Sequence, residues 1–284
     1  MKKTRGGKIL AAVMALLLFL MSASGCGKAK SSDDGTEVID PSAAELEDSS
    51  QESRRSKADQ EKLDQDIENG YLILVNKEEE NHLSETYKPS DLEHVKYYAA
   101  DRSEEGRYLR KKASEQFQKL VEDAEKENIE IVVTTAFRSY GFQSSLFNSY
   151  AAQKGEAEAN KTSARPGESE HQTGLAADLS TGEINYRNSS DFGDTKAGEW
   201  VAENCYKYGF IIRFPNGQED ITGYTYEPWH IRYVGKTAAK EIYDEDITLE
   251  EYIEENDLGN SIPKNAKASS DDDEDDDGSS ASEE

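Results

Sequence analysis

Basic charge is scarce in this sequence. Against 59 Asp and Glu stand 33 Lys and Arg, a formal net charge of −26 over 284 residues, and no basic stripe interrupts the excess. A field of that sign repels phosphate backbones, which argues against nucleic acid as a partner. Hydrophobic residues are also few, at 35%, too small a share for the whole chain to bury a core, so part of it is expected to be disordered. Cysteine occurs twice, at Cys26 and Cys205. Exported domains either pair their cysteines or avoid them. A Cys26–Cys205 bridge would tie a polar segment to a core helix, and Cys205, inside an apolar helical pattern, reads instead as a small buried apolar side chain. A long hydrophobic run is missing too: the stretch from Ile9 to about Met21 is roughly a dozen residues, short of the ~20 that cross a bilayer.

What is present at the start is a cationic Met1-Lys2-Lys3-Thr4-Arg5, that short apolar run, and then Ser22, Ala23, Ser24 and Gly25, the order of an export signal. Ala23-Ser24-Gly25-Cys26 resembles a bacterial lipoprotein signal. The resemblance implies that residues 1–25 are removed and Cys26 is lipidated, placing the protein outside the cytoplasm on the outer face of the bacterial cytoplasmic membrane; an ordinary cleaved signal with a free Cys26 is the alternative. Residues 26–67 are read as a disordered linker, because Ser, Asp, Glu, Lys and Ala dominate it and cannot bury enough surface to offset the entropy of ordering. Such a tether of roughly 40 residues has an r.m.s. reach of ~35 Å, more when like charges extend it. Residues 261–284 form an acidic tail, with Ser269-Ser270 leading into an Asp/Glu block through Asp277. Blocks of like charge are solvated, and this one lacks the alternating ligands and turn glycine of a calcium loop.

Residues 68–260 remain, one domain's worth of chain. Tyr71-Leu72-Ile73-Leu74-Val75 reads as a strand. From Gly106 to Lys126 the residues Leu109, Ala113, Phe117, Leu120, Val121 and Ala124 recur at spacings of three and four, which predicts an amphipathic helix. The β-branched stretch Ile129 to Thr135 predicts a strand ending at Ala136-Phe137-Arg138-Ser139. A second helix is expected over Tyr140 to Gln153, burying Leu146, Phe147 and Tyr150. Trp200, Val201, Cys205 and Tyr208 mark another, followed by a strand over Phe210 to Phe214, turned by Pro215-Asn216-Gly217. Tyr224 to Val234 is extended, and two short helices carry Ala238, Ala239 and Ile242, then Leu249, Tyr252 and Ile253. Helices and strands interleave without Gly-rich crossover turns, which predicts an α+β fold with a small antiparallel sheet and flanking helices.

Two motifs carry chemistry. His171 and Asp178 lie seven positions apart in Ser169-Glu170-His171-Gln172-Thr173-Gly174-Leu175-Ala176-Ala177-Asp178, a spacing that two extended segments joined by a turn at Gly174 would bring onto one metal. His230, in Glu227-Pro228-Trp229-His230, would be the third ligand, leaving a fourth zinc position for water. Pro228 disfavours a helix, so this is not the two-histidine helix of HExxH enzymes, and Glu227 would serve as general base. The chain has only four histidines, of which two fall in these motifs. A lone histidine is more often structural, but the joint pattern of the first motif would arise by chance on the order of once in a million starts. His82 and His94 lie outside both and are expected at the surface.

Ser169-x-His171-x-x-Gly174-x-Ala176-x-Asp178 followed by Glu227-x-x-His230 resembles the D-alanyl-D-alanine carboxypeptidases of the VanY type, relatives of the VanX dipeptidases and, more distantly, of lysostaphin and the hedgehog amino-terminal domain. Leu74-Val75-Asn76-Lys77, Phe137-Arg138-Ser139-Tyr140 with Gln143, and Ile221 to Gly235 are similar to that family's blocks as well. The resemblance implies zinc on His171, Asp178 and His230, Glu227 as catalytic base, and Arg138 as the group that stabilises the oxyanion. It further implies Ser169 on the substrate carboxylate and Gln143 as a second substrate contact. Phe137 stands where tyrosine is common. The implied reaction is hydrolysis of the terminal D-alanine of peptidoglycan stem peptides, with D,D- and L,D-bonds both open. A peptidoglycan endopeptidase and a non-catalytic, zinc-stabilised wall-binding lipoprotein are the alternatives. Trp229 and Tyr233 are expected to pack rather than bind sugar, and Arg213 and Arg232 to be structural or rim charges.

Overall fold

A computed structural model describes residues 55–99, 102–259 and 262, all within the unit Ser53–Glu284. The signal and lipidation site over 1–26, and the acidic tail beyond Ile262, lie outside the described residues.

The elements follow in chain order as α1 (Lys57–Glu68), β1 (Leu92–His94), β2 (Tyr108–Arg110), α2 (Lys111–Lys126), β3 (Val132–Thr135), α3 (Tyr140–Lys154), α4 (Glu156–Thr162), β4 (Ala176–Ser180), α5 (Lys196–Asn204), β5 (Phe210–Ile212), α6 (Glu219–Thr222), β6 (His230–Tyr233), α7 (Lys236–Glu245) and α8 (Leu249–Glu255). Four strands form an antiparallel sheet in the order β3-β4-β6-β5, and β1 pairs with β2 apart from it. The α+β architecture expected from the pattern is the one observed.

Strand alternation sorts the two central strands. Ala177 and Leu179 of β4 and Ile231 and Tyr233 of β6 join the main core with the apolar face of α2, namely Ala113, Phe117, Leu120, Val121 and Ala124. With a period of two, Asp178, His230 and Arg232 then fall on the opposite face. Burying a side chain such as Phe117, which is fully enclosed, stabilises the fold by roughly 1.5–3 kcal/mol. A second core gathers Leu63 of α1, Ile211, Val234, Ala238 and Ile242 with Leu249, Tyr252 and Ile253 of α8. Helix α8 starts at a capping box in which Thr248 and Glu251 bond each other's backbone amides, and α3 starts where Ser139 accepts from the Phe142 amide. Both satisfy donors that a helix start leaves open.

Several sequence-based expectations need correction. The folded region begins upstream of residue 68: α1 occupies most of what composition marks as the end of the linker. It is a polar helix with Leu63 buried, tied down by Arg55, whose guanidinium reaches Glu241, Asn256 and the Tyr252 hydroxyl. At the other end Ile262, just past the expected boundary at 260, is buried with Ile73, Val75 and Leu83. Residues 71–75 are not a strand; the carbonyls of Tyr71 and Ile73 are met by the Arg232 guanidinium, at 3.1 and 2.7 Å, in place of a sheet neighbour. Helix α2 starts at Lys111 rather than Gly106 because Tyr108–Arg110 pair with Leu92–His94. On α3, Phe147 is buried while Tyr150 is 39% exposed.

Candidate metal centre and catalytic cleft

The sheet register brings the first two functional groups together. Asp178 on β4 and His230 on β6 are directly opposed across the ladder, so their side chains leave the same face as neighbours. His230 Nδ1 lies 2.9 Å from Asp178 Oδ1. His171 arrives from a 3-10 turn, Glu170–Thr173, rather than the extended segment expected from the spacing. Gly174 then turns the chain into β4 with φ +67°, and a Cβ there would stand 2.7 Å from Leu92 Cδ2. The turn sets His171 Nε2 at 3.4 Å from the same Asp178 oxygen, and the two imidazoles meet edge to face with ring centres 4.9 Å apart.

One ligand atom from each of His171, Asp178 and His230 lies within 4.8 Å of the others, and all three residues are buried. Two imidazoles and a carboxylate suit zinc and leave one position of a tetrahedral site for a reactant. The hydrogen bonding fits as well. His171 Nδ1 donates to the Ala136 carbonyl at 2.6 Å, which leaves its Nε2 lone pair toward Asp178. Asn188 Nδ2 approaches Asp178 Oδ2 at 3.4 Å, and Thr134 donates to Asn188 Oδ1 at 2.6 Å. Outer contacts of this kind orient metal ligands.

Electrostatics follow from burial and neighbours. For Asp178, burial alone would raise the pKa, but both histidines outweigh it and hold the carboxyl well below the usual carboxylate range. Burial and the Arg138 charge push His171 down to about 4. For His230 the desolvation penalty is overcome by Asp178 and Glu170, which push it up to about 9 in the metal-free chain. Glu227 goes the other way from Asp178: burial, opposed by His230 and reinforced by Asp178, pushes it up to about 7. It stands 4.0 Å from His230 Nδ1. The two carboxylates are thus separated into one firmly ionised group and one able to exchange a proton near neutrality.

A cavity of about 390 Å³ opens over these groups, lined among others by Arg138, Tyr150, Ser169, Asn188, Glu227 and Trp229. Arg138 Nη1 is 3.7 Å from Asp178 Oδ2, and its amide donates to the His171 carbonyl at 3.2 Å. Gln143 is not part of this lining. It is buried, and its Nε2 donates to the Ala164 carbonyl at 2.7 Å, so it supports the cavity wall from behind. His94 is exposed as expected, while His82 is half-buried beside the Lys77 carbonyl. Tyr233 belongs to the main core, and Trp229 is partly buried against that core. Arg213 and Arg232, read as structural or rim charges, are fully buried, and both bond Glu170 Oε1. Glu170, Asn188 and Thr134 were not singled out from sequence. Only Glu170 offered a signal, its place between Ser169 and His171.

The chain also matches known proteins. The family described as VanY, D-alanyl-D-alanine carboxypeptidase, matches residues 106–236. The chain is similar to YodJ of Bacillus subtilis (strain 168), 47% identical over 185 residues that cover 64% of this chain and 67% of that protein. Among solved structures it resembles the LdcB LD-carboxypeptidase, with a TM-score of 0.60 and 47% identity over 64% of this chain and 84% of that one. It also resembles a VanY variant, a vancomycin-resistance D,D-pentapeptidase from a VanB-type cassette, in complex with Zn(II). There the TM-score is 0.52 and the identity 31%, over 64% of this chain and 98% of that one.

Proposed function

The chain belongs to the VanY family of D-alanyl-D-alanine carboxypeptidases, and from that premise we propose that it is a zinc peptidase that removes the terminal D-alanine from peptidoglycan stem peptides. The observation that carries this reading is the place of Glu227: a buried carboxylate at the cavity wall, its Oε2 4.0 Å from His230 Nδ1, that shares the lining with His171, Asp178 and His230. A structural metal site has no use for such a group.

His171, Asp178 and His230 would hold the zinc, which when bound would supply Lewis acidity, lowering the pKa of water to roughly 7 and polarising the scissile carbonyl. Glu227 accepts the proton of the attacking water and returns it to the leaving amine of D-alanine. The Arg138 guanidinium faces the charge that develops on the carbonyl oxygen, where a fixed cation in a dry site is most effective. Asp178 stays ionised throughout, and Asn188 holds its second oxygen. Ser169 at the cavity wall is assigned to the substrate carboxylate, and Gln143 to support of the wall.

Between the two bonds open to the family, the identity of 47% with an LD-carboxypeptidase against 31% with a D,D-pentapeptidase favours the L,D bond of tetrapeptides. The test is release of free D-alanine. Chelation should abolish it and zinc restore it; activity that survives chelation would overturn the zinc reading, and fragments larger than alanine would point to an endopeptidase.

We also place the domain outside the cytoplasmic membrane, held by a lipid on Cys26. Support comes from the cationic start, the short apolar run and Ala23-Ser24-Gly25-Cys26. Labelled fatty acid should enter the wild-type protein and not Cys26→Ala; equal labelling of both would refute the anchor.

A further inference from the structure

Behind the metal centre lies an ion network that the mechanism does not use. The Glu170 side chain is 2% exposed, and those of Arg213 and Arg232 are fully enclosed. Glu170 Oε1 accepts from Arg213 Nε at 2.8 Å and from Arg232 Nη1 at 2.7 Å. The rest of each guanidinium is committed elsewhere. Arg213 forks onto Glu250 at 2.8 and 2.5 Å. Arg232 donates to the carbonyls of Tyr71, Ile73 and Tyr233. The carboxylate is therefore fixed from one side.

Its other oxygen is not used by that network. Glu170 Oε2 faces His230 Nε2 across 3.5 Å, and each of these two sealed atoms lacks any other hydrogen-bond partner. A lone pair on Nε2 would set two buried acceptors against each other. A proton on Nε2 satisfies both atoms at once. It also decides what the far side of the ring presents, since a neutral imidazole with its proton on Nε2 offers a lone pair at Nδ1, the atom beside Asp178.

We propose that Glu170 is a positioning residue for the metal centre: held by Arg213 and Arg232, it keeps the His230 proton on Nε2 and so turns Nδ1 into the ligand atom. His171 is arranged in the opposite sense, its Nδ1 proton held by the Ala136 carbonyl and its Nε2 free. The two histidines thus present different nitrogens, each fixed by an acceptor on the far side of its ring. A carboxylate behind a ligating imidazole raises its basicity as well as fixing its tautomer. This inference rests on the assignment of His171, Asp178 and His230 to zinc, and adds to it the residue that prepares one of those ligands.

The experiment measures zinc affinity, not turnover, by competition with a chromogenic chelator on the full chain. Glu170→Gln should weaken zinc binding roughly ten- to a hundredfold. Glu250→Gln, which removes a carboxylate from the same network without facing a metal ligand, should leave the zinc affinity unchanged even where it lowers stability. Ring-nitrogen NMR of the zinc-loaded wild type gives a second readout that needs no variant. His230 should show a protonated, slowly exchanging Nε2, so the proposal stays testable if Glu170→Gln does not fold. Equal zinc affinity in wild type and Glu170→Gln, equal weakening in Glu170→Gln and Glu250→Gln, or a protonated Nδ1 on zinc-loaded His230 would each overturn it. A wild type that binds no zinc would overturn the metal assignment itself, and this proposal with it.

Discussion

Glu227 Oε2 and His230 Nδ1 stand 4.0 Å apart, three residues apart in sequence and joined through Pro228. Pro228 keeps the segment out of a helix, and β6 begins at His230. The same short stretch therefore supplies a ligand from the sheet and a carboxylate from the loop before it. Replacing Glu227 with Gln keeps the shape and removes the base. Glu227→Gln should lower kcat for D-alanine release by roughly 10²–10⁴ while the protein still binds one zinc. Steady-state kinetics and metal analysis of the purified variant check both halves, and loss of zinc along with turnover would move Glu227 into the metal shell.

Arg138 lines the cavity with its amide hydrogen-bonded to the His171 carbonyl, so the backbone is placed independently of the guanidinium. Arg138→Met retains most of the side chain's bulk and removes its charge. The expected loss is roughly 10²–10³ in kcat, with a smaller change in KM. A variant that loses only KM would assign Arg138 to ground-state binding.

The turn at Gly174 is a structural requirement of the metal centre. Gly174→Ala must hold a left-handed backbone and place a Cβ 2.7 Å from Leu92 Cδ2. Destabilisation of roughly 1–3 kcal/mol is expected from the backbone alone, measurable by urea unfolding, together with weaker zinc binding because His171 and Asp178 lie on either side of the turn.

Cys205 lies at the end of α5, 2% exposed, and burial pushes its thiol up to about 12. At pH 8 it is therefore protonated as well as enclosed, and the thiolate is the reactive species. In a Cys26→Ser chain, a disulfide-exchange reagent at pH 8 should leave the native protein unlabelled and label one thiol after denaturation. Rapid labelling of native protein would contradict the packing around α5.

The residues of the candidate centre, His171, Asp178 and His230 with Glu227 at the cavity wall, could be located in the sequence because each motif confines them to a few positions with demanding side-chain types. The helices α2, α7 and α8 were legible from periodicity. Helix α1 was not, since it is polar and has one buried residue, Leu63, to mark it. Residues 71–75 have the composition of a strand, yet the carbonyls of Tyr71 and Ile73 are met by the guanidinium of Arg232, 161 and 159 positions downstream, and local pattern carries no trace of such a partner. Glu170 is similar. Its neighbour His171 drew attention to the motif, but its own partners, Arg213 and Arg232, become visible only after β5 and β6 fold against the 3-10 turn. Gln143 belongs to a conspicuous motif, and the fold turns it toward a backbone carbonyl instead of the cavity.

The most direct test is mass spectrometry of defined muropeptides, both tetrapeptide and pentapeptide, incubated with the zinc-loaded protein and in parallel with Glu227→Gln. The wild type is expected to shorten the tetrapeptide by one alanyl residue, releasing free D-alanine, with no change in the variant. Peptides that keep their mass under wild-type enzyme, or cleavage that Glu227→Gln performs equally well, would contradict the assignment of the His171–Asp178–His230 centre to this hydrolysis.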